Sequence, residues 1–295
     1  MCLERKNRDK VTSLCTISEV GRIGMKADLH VHTAVSDSSY SIEETIQLAK
    51  LNNIHYLGIV DHDTVAGLEQ AIFLGKHYGV LVIPGIEISA YDYKRKRKVH
   101  ILGYNFDLNA SNINKLCAPI IERRHNHSLW QIRQLQENGF QIDIEDVLQK
   151  SQHSTCIYKQ HIMAVLVDKG YCSHVHSNLY QKLFKGQGIC VGEIEYIDVF
   201  AAVTAVKADG GIAVLAHPGQ LNSYTIMEEL RESGLDGVEL FHEDHTQEDH
   251  QKIQTFAAKH DVILTGGSDF HGAYGGKTKL GQLTFPLDYV KDILC

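Results

Sequence analysis

Two histidines one residue apart, His30 and His32 in "DLHVHT", are the first residues of this chain whose types and spacing could do chemistry. Alternate residues of a strand point the same way, so both imidazoles can face one cation. Further apolar runs end in possible ligands: "VDHD" in His62 between Asp61 and Asp63, "GIE" in Glu87, "LAHP" in His217, and "GSDFH" in Asp269 and His271. "VHILGY" adds His100. A lone histidine is usually a satisfied structural residue, but separate structural explanations for six such positions at equivalent strand ends are together improbable. Carboxylates from Glu87 and Asp269 complete a mixed nitrogen and oxygen set suited to Zn, Mn or Fe, and a carboxylate can bridge two neighbouring ions. The expected cofactor is therefore two or three divalent metal ions.

The elements that must position these residues follow an α/β rhythm. "GMKADLHVHT" reads as a strand running into a loop, and "SIEETIQLAKLNNI" as a helix with Ser41 as N-cap before Glu44. "HYLGIVDHD", "TVAGLEQAIFLGKHYG" and "VLVIPGIEIS" continue as strand, helix and strand. Polar residues gather at the C-terminal ends of the strands, the edge where parallel α/β folds assemble their sites. "YDYKRKRKVHILGYNF" reads as a hairpin whose basic tip is a solvated turn. The strand pattern then gives way to helical segments over 108–198, expected to form an insertion or cap. It resumes over 199–295, so the barrel is expected in two parts, 25–107 and 199–295.

Composition narrows the class. Hydrophobic residues make up 43% and charged residues 22% of 295, enough to bury a core. A net charge of −7 gives no footprint for duplex nucleic acid, which needs clustered cations, and favours a small substrate. No apolar run approaches the ~20 residues of a membrane helix. The N-terminal "MCLERKNRDKVTSLCTISEV" is charged and lacks an apolar leader core. Seven scattered cysteines, odd in number and without a C-x-x-C pair, point to free thiols in a reducing, cytoplasmic setting. None of these features specifies an oligomeric state.

Taken together, H-x-H, D-H-D, the glutamate, V-H-I-L-G-Y, A-H-P and G-S-D-F-H-G resemble the PHP (polymerase and histidinol phosphatase) family of the amidohydrolase superfamily over nearly the whole chain. Within it the helical segment around "HIMAVLVDKGY" is similar to the branch of nucleoside 3',5'-bisphosphate phosphatases. The resemblance implies a distorted (β/α)7 barrel with a mainly helical insertion and up to three divalent ions. Carried over by motif, His30, His32, Glu87 and Asp269 would bind the first ion, Glu87, His100 and His217 the second, and Asp37, His62 and His271 the third.

The reaction so implied is metal-dependent hydrolysis of a phosphate ester of a small phosphorylated metabolite by an activated water, with a nucleoside 3',5'-bisphosphate as the leading substrate. The alternatives are histidinol phosphate, a cyclic sugar phosphate, the 5' end of a short RNA, or a non-catalytic metal-binding module. Asp61 and Asp63 flank His62 and are the candidates for orienting it or moving a proton. Arg123, Arg124, His161 and His245 are the candidates for binding the substrate phosphate, arginine being suited to bidentate contact.

Overall fold

The computed structural model describes residues 25–192, 194–283 and 293. The charged N-terminal segment, with Cys2 and Cys15, lies outside the described residues, as does Cys295. The four remaining cysteines, Cys117, Cys156, Cys172 and Cys190, are free thiols.

Strand β1 (Ala27–Val31) is wholly buried, and helix α1 (Ile42–Leu51) follows it. The helix starts where the sequence predicts. Ser41 Oγ accepts from the Glu44 N–H, and the Glu44 carboxylate accepts from the Ser41 N–H at 2.8 Å, satisfying two otherwise orphaned donors. Strand β2 (Tyr56–Ile59), helix α2 (Leu68–Tyr78) and strand β3 (Leu81–Asp92) continue the rhythm, and β1, β2 and β3 pair in parallel. The predicted hairpin is β3 with β4 (Arg97–Tyr104), paired antiparallel around a basic turn.

After the helical segment, the two-residue strand β5 (Ile197–Asp198) pairs with β3, and helix α7 (Val199–Ala208) leads to β6 (Ile212–Leu215). Strand β6 lies antiparallel to β4, and β7 (Gly237–Phe241) and β8 (Ile263–Gly266) follow in parallel. The sheet order is β1-β2-β3-β4-β6-β7-β8. A parallel bridge from Val31 to Phe270, just beyond β8, brings the two ends together. The expected distorted seven-stranded barrel is thus observed. Its interior is filled by Leu29, Leu102, Tyr104 and Val214, with the Tyr104 hydroxyl donating to the Leu29 carbonyl at 2.9 Å. The outer faces of the strands bury Ile59, Ile88, Ile101 and Val238 against the helices.

Between the halves lie α3 (Ser111–Glu137), α4 (Ile144–Lys150), α5 (Lys159–Asp168) and α6 (Asn178–Phe184). The first half of α3 packs Ile113, Cys117 and Ile120 into the barrel's outer core. Its second half contributes Ile132 and Leu135 to a separate core with Ile162, Leu166 and Phe184. One helix therefore serves both bodies. Its N-terminus lacks a side-chain cap of its own, and Asp209, at the end of α7, supplies one by accepting from the N–H groups of Asn112 and Ile113 at 3.0 and 2.9 Å. Helices α8 (Pro218–Leu221), α9 (Met227–Glu232) and α10 (Gln247–His260) follow among the described residues. No described helix is long and apolar enough to cross a membrane.

Candidate metal centre

The C-terminal ends of the strands deliver the candidate ligands to one place. His30 and His32 come from β1 and the residue after it, Glu87 from within β3, and His100 from β4. His62 follows β2 and bridges in parallel to Glu87. His217 and Asp269 lie beyond β6 and β8 on backbone with φ of 23° and 49°, and Asp63 has φ of 58°. Non-glycine residues in this region cost free energy, so the surrounding contacts must hold them there. Gly267 allows a close approach: a Cβ there would sit 2.3 Å from the His30 nitrogen, so only glycine lets the β8 end reach the histidine pair.

Three groups of possible ligands lie close enough to share ions. The Nε2 atoms of His30 and His32 approach Glu87 Oε2 at 3.3 and 3.2 Å and Asp269 Oδ1 at 3.3 Å each. His62, Glu87 and His100 form the second group, in which Glu87 Oε1 faces His100 Nδ1 at 2.7 Å, and His217 Nε2 stands beside it, 2.8 Å from the same oxygen. Asp37 Oδ1 lies 3.3 Å from His271 Nε2, in a group with His32 and His62. Glu87 is common to the first two groups, as an acid bridging two ions must be. All nine candidates are brought together.

Whether these residues fit metal is tested by their unsatisfied atoms. His30 Nε2, both nitrogens of His32, His62 Nδ1, Asp37 Oδ1 and Asp269 Oδ1 are buried without a hydrogen-bond partner. Buried polar atoms are normally satisfied, so such a concentration at one point calls for an electrophile. Burial raises the Glu87 carboxyl, but the imidazoles of His62, His100 and His30 outweigh it and hold it well below the carboxylate range. Asp269 is lowered in the same way against burial by His30 and His271, and Asp37 by His271 and His62. Burial pushes His62 down to about 4, leaving a neutral imidazole. His32 goes the other way: burial lowers it, but Asp269 and Glu87 prevail and carry it up to about 10. A proton on His32 thus sits where a cation would compensate the same acids, and metal binding would displace it. The mixed imidazole and carboxylate set suits Zn, Mn or Fe.

The other predicted residues are placed differently. Asp61 accepts from the Thr33 N–H and hydroxyl and from the Ser36 hydroxyl, which ties it to the loop after β1. Asp63 accepts from the Ser89 N–H at 2.7 Å and from Arg124 Nη2 at 2.5 Å. Arg124 also donates to Ser89 Oγ at 2.9 Å, stacks 4.9 Å above Tyr158 and lines a cleft of about 600 Å³ that opens on the ligand groups. Its neighbour Arg123 turns instead to Glu195, at 2.8 Å. His161 is buried, its Nδ1 accepting from the Tyr158 N–H at 3.1 Å at the start of α5. His245 Nε2 accepts from the Gly219 N–H, so its Nδ1 carries the proton and donates to the Leu240 carbonyl at 2.8 Å. Both its ring nitrogens are engaged by backbone.

Several contributors escaped the sequence reading. Glu239 on β7 is buried, faces His30 Nδ1 at 3.0 Å with one oxygen and accepts from the His217 N–H at 2.8 Å with the other. It fixes the orientation of one imidazole and the backbone of another. An acid in the middle of the apolar "GVELF" was the signal for it. His242 Nε2 stands 3.3 Å from Asp269 Oδ2, and Gln160 donates to Asp37 Oδ2 at 2.8 Å.

With this geometry in place, comparison with known proteins gives the class. The PHP domain model matches residues 28–244, and the chain belongs to that family of metal-dependent phosphoesterases. It is 46% identical to the phosphoribosyl 1,2-cyclic phosphate 1,2-diphosphodiesterase of Eggerthella lenta over 257 residues, 87% of this chain and 98% of that protein. Identity to the 3',5'-nucleoside bisphosphate phosphatase of Chromobacterium violaceum is 26% over 260 residues, 86% of this chain and 90% of that one. A solved Bifidobacterium adolescentis structure, assigned to the metal-dependent phosphoesterases, superposes with a TM-score of 0.85 at 29% identity, covering 92% of this chain and 96% of that one. The chain is accordingly a phosphoesterase, a hydrolase. The expected placement beside the nucleoside bisphosphate phosphatases is corrected by the much higher identity to the cyclic phosphate enzyme. The helical segment that suggested that placement does not discriminate, because the alignments to both relatives extend over most of the chain.

Proposed function

We propose that the chain opens a cyclic phosphate diester on a phosphorylated pentose, of the phosphoribosyl 1,2-cyclic phosphate class. The observation that carries this reading is the 46% identity to the Eggerthella lenta enzyme of that name over 98% of its length. Water adds to phosphorus, one ring P–O bond breaks, and the freed sugar oxygen takes a proton, leaving an acyclic monoester. The first ion would be held by His30, His32, Glu87 and Asp269, the second by Glu87, His100 and His217, and the third by Asp37, His62 and His271. Bound there, divalent ions would supply charge neutralisation at the phosphoryl oxygens and a water acidic enough to attack near neutral pH.

The chain's own residues position the rest. Asp63 and Ser89 anchor Arg124 through Nη2, leaving its Nη1 for a phosphoryl oxygen. Asp63 therefore serves by aiming Arg124, and Asp61 by shaping the loop that carries Asp37. Glu239 holds His30 in one tautomer toward the metal. The test is a panel of phosphoribosyl 1,2-cyclic phosphate, a nucleoside 3',5'-bisphosphate and histidinol phosphate, assayed with the Mn-, Zn- or Fe-loaded protein. We expect kcat/KM for the cyclic diester to exceed the others by roughly tenfold or more. Preference for the bisphosphate would overturn the reading, and metal binding without cleavage of any member would leave a metal-binding module.

A further inference from the structure

The same cleft carries cations that the metal groups and Arg124 do not use. Lys98, Lys159 and Lys185 all line it, on β4, at the start of α5 and just after α6. None of the three makes an ion pair among the described residues. Two are instead held by aromatic faces: Lys98 Nζ lies 4.8 Å from the Tyr196 ring centroid and Lys185 Nζ 5.8 Å from that of Tyr180. Lys159 is half-buried, and burial together with the nearby Lys98 and Lys185 pushes its ammonium down to about 8.

This arrangement is unfavourable unless an anion compensates it. Three like charges share one wall, and Lys159 occupies the first position of a ten-residue helix, where the macrodipole disfavours a cation. The amide N–H groups of Lys159 and Gln160 have no acceptor among the described residues, and both residues line the cleft. The cleft's acids outside the metal groups, Glu243 and Asp244, lie on the segment after β7 and are engaged by Thr278 and Gln220. The distance from the chemistry is set by β4. Lys98 and His100 are alternate residues of one strand, so they project the same way about 6.6 Å apart.

We propose that Lys98, Lys159 and Lys185 form a second anion subsite that holds the phosphate not being cleaved, one pentose away from the metal groups. This rests on the function proposed above, whose substrate class carries a phosphate elsewhere on the ribosyl unit. The subsite makes the remote phosphate a requirement for efficient turnover. A pentose cyclic phosphate without it leaves three ammonium groups uncompensated in the cleft.

The experiment compares two substrates on the metal-loaded enzyme, phosphoribosyl 1,2-cyclic phosphate and ribose 1,2-cyclic phosphate, and reads the ratio of their kcat/KM values. The expected ratio in the unaltered protein is roughly tenfold or more, collapsing toward unity in Lys159→Ala and in the triple Lys98→Ala, Lys159→Ala, Lys185→Ala protein. Lys182→Ala, on α6 outside the cleft, is the control and keeps the ratio. Equal loss on both substrates, or an unchanged ratio in the triple variant, overturns the subsite. A second measurement separates it from the function itself: calorimetric binding of ribose 5-phosphate to the metal-loaded protein. The triple variant should bind it roughly tenfold more weakly. If the cyclic diesters are not cleaved but this lysine-dependent binding is seen, the proposed function fails and the subsite stands. Absence of millimolar binding, or binding indifferent to the lysines, sinks the subsite.

Discussion

The barrel's metal edge and the helical wall that faces it are built by different means. At the edge, nine histidines and acids come from the strands and the loops that follow them, and most are buried and fixed by a named partner such as Glu239 on His30. On the wall, Arg124, Lys159 and Lys185 come from three helices or their ends; Arg124 and Lys185 lie over aromatic faces, and Arg124 is also paired with Asp63. The edge is specified by strand geometry, in which the period of two and the parallel order dictate which side chains meet. The wall is specified by how α3, α5 and α6 pack on their own core. In the proposed reading the edge supplies the chemistry and the wall selects the substrate. Substitutions in the two regions should therefore fail in different ways.

The largest effect is expected at Glu87, the one residue common to the first two ligand groups. Glu87→Gln should lower kcat by roughly a thousandfold or more and reduce the bound metal measured by mass spectrometry. A variant with full metal and full rate would end the assignment. His30→Ala or Asp269→Ala should also abolish activity with loss of metal, whereas Asp37→Ala should remove one ion selectively. Glu239→Gln touches no proposed ion directly, and its expected signature is a metal affinity weakened by about 10- to 100-fold. Titration with a competing chelator would read this, and unchanged affinity would show that the buried acid is only structural.

The wall should answer in rate rather than in metal. Arg124→Ala is expected to cut kcat/KM by roughly a hundredfold, as loss of a preorganised donor does, with metal content unchanged. Arg123→Ala, whose side chain is spent on Glu195, should stay within about twofold. Equal losses for the two would dissolve the distinction between edge and wall.

How far this was readable from sequence follows the same division. The strand-borne histidines and acids, the Ser41 capping box and the β3–β4 hairpin were legible because each is a local pattern. Arg124 could have been separated from Arg123, since it continues the buried stripe of Ile113, Cys117 and Ile120 toward Ser128, Gln131 and Leu135. A cation on a core stripe is a signal in itself. For His161 and His245 the sequence does not show that backbone engages Nδ1 of the first and both ring nitrogens of the second, contacts set by a helix start and by the approach of Gly219. The lysines of the cleft carry no local signal at all. Lys98 looked like part of a solvated basic run, and only the register of β4 beside His100 turns it toward the site.

The smallest expected effect tests whether edge and wall are separate bodies. Helix α3 runs from the barrel's outer core to the core of the helical segment, and Asp209, beyond α7, caps its first turn from outside. Asp209→Ala removes the acceptor of two helix N–H groups, which costs about 0.5–2 kcal/mol when a cap is lost. Because the first half of α3 is buried against the barrel, that cost should appear as a shift of one cooperative denaturation midpoint with an unchanged slope. Metal content should not move, and the turnover rate should change little, since Arg124 lies more than three turns further along the helix. If instead the transition split in two, with the helical segment melting first while the barrel kept its metal, α3 would not be the shared beam described here. The wall would then be an independently folding cap, and the selectivity ratio for the remote phosphate should fall with that first transition.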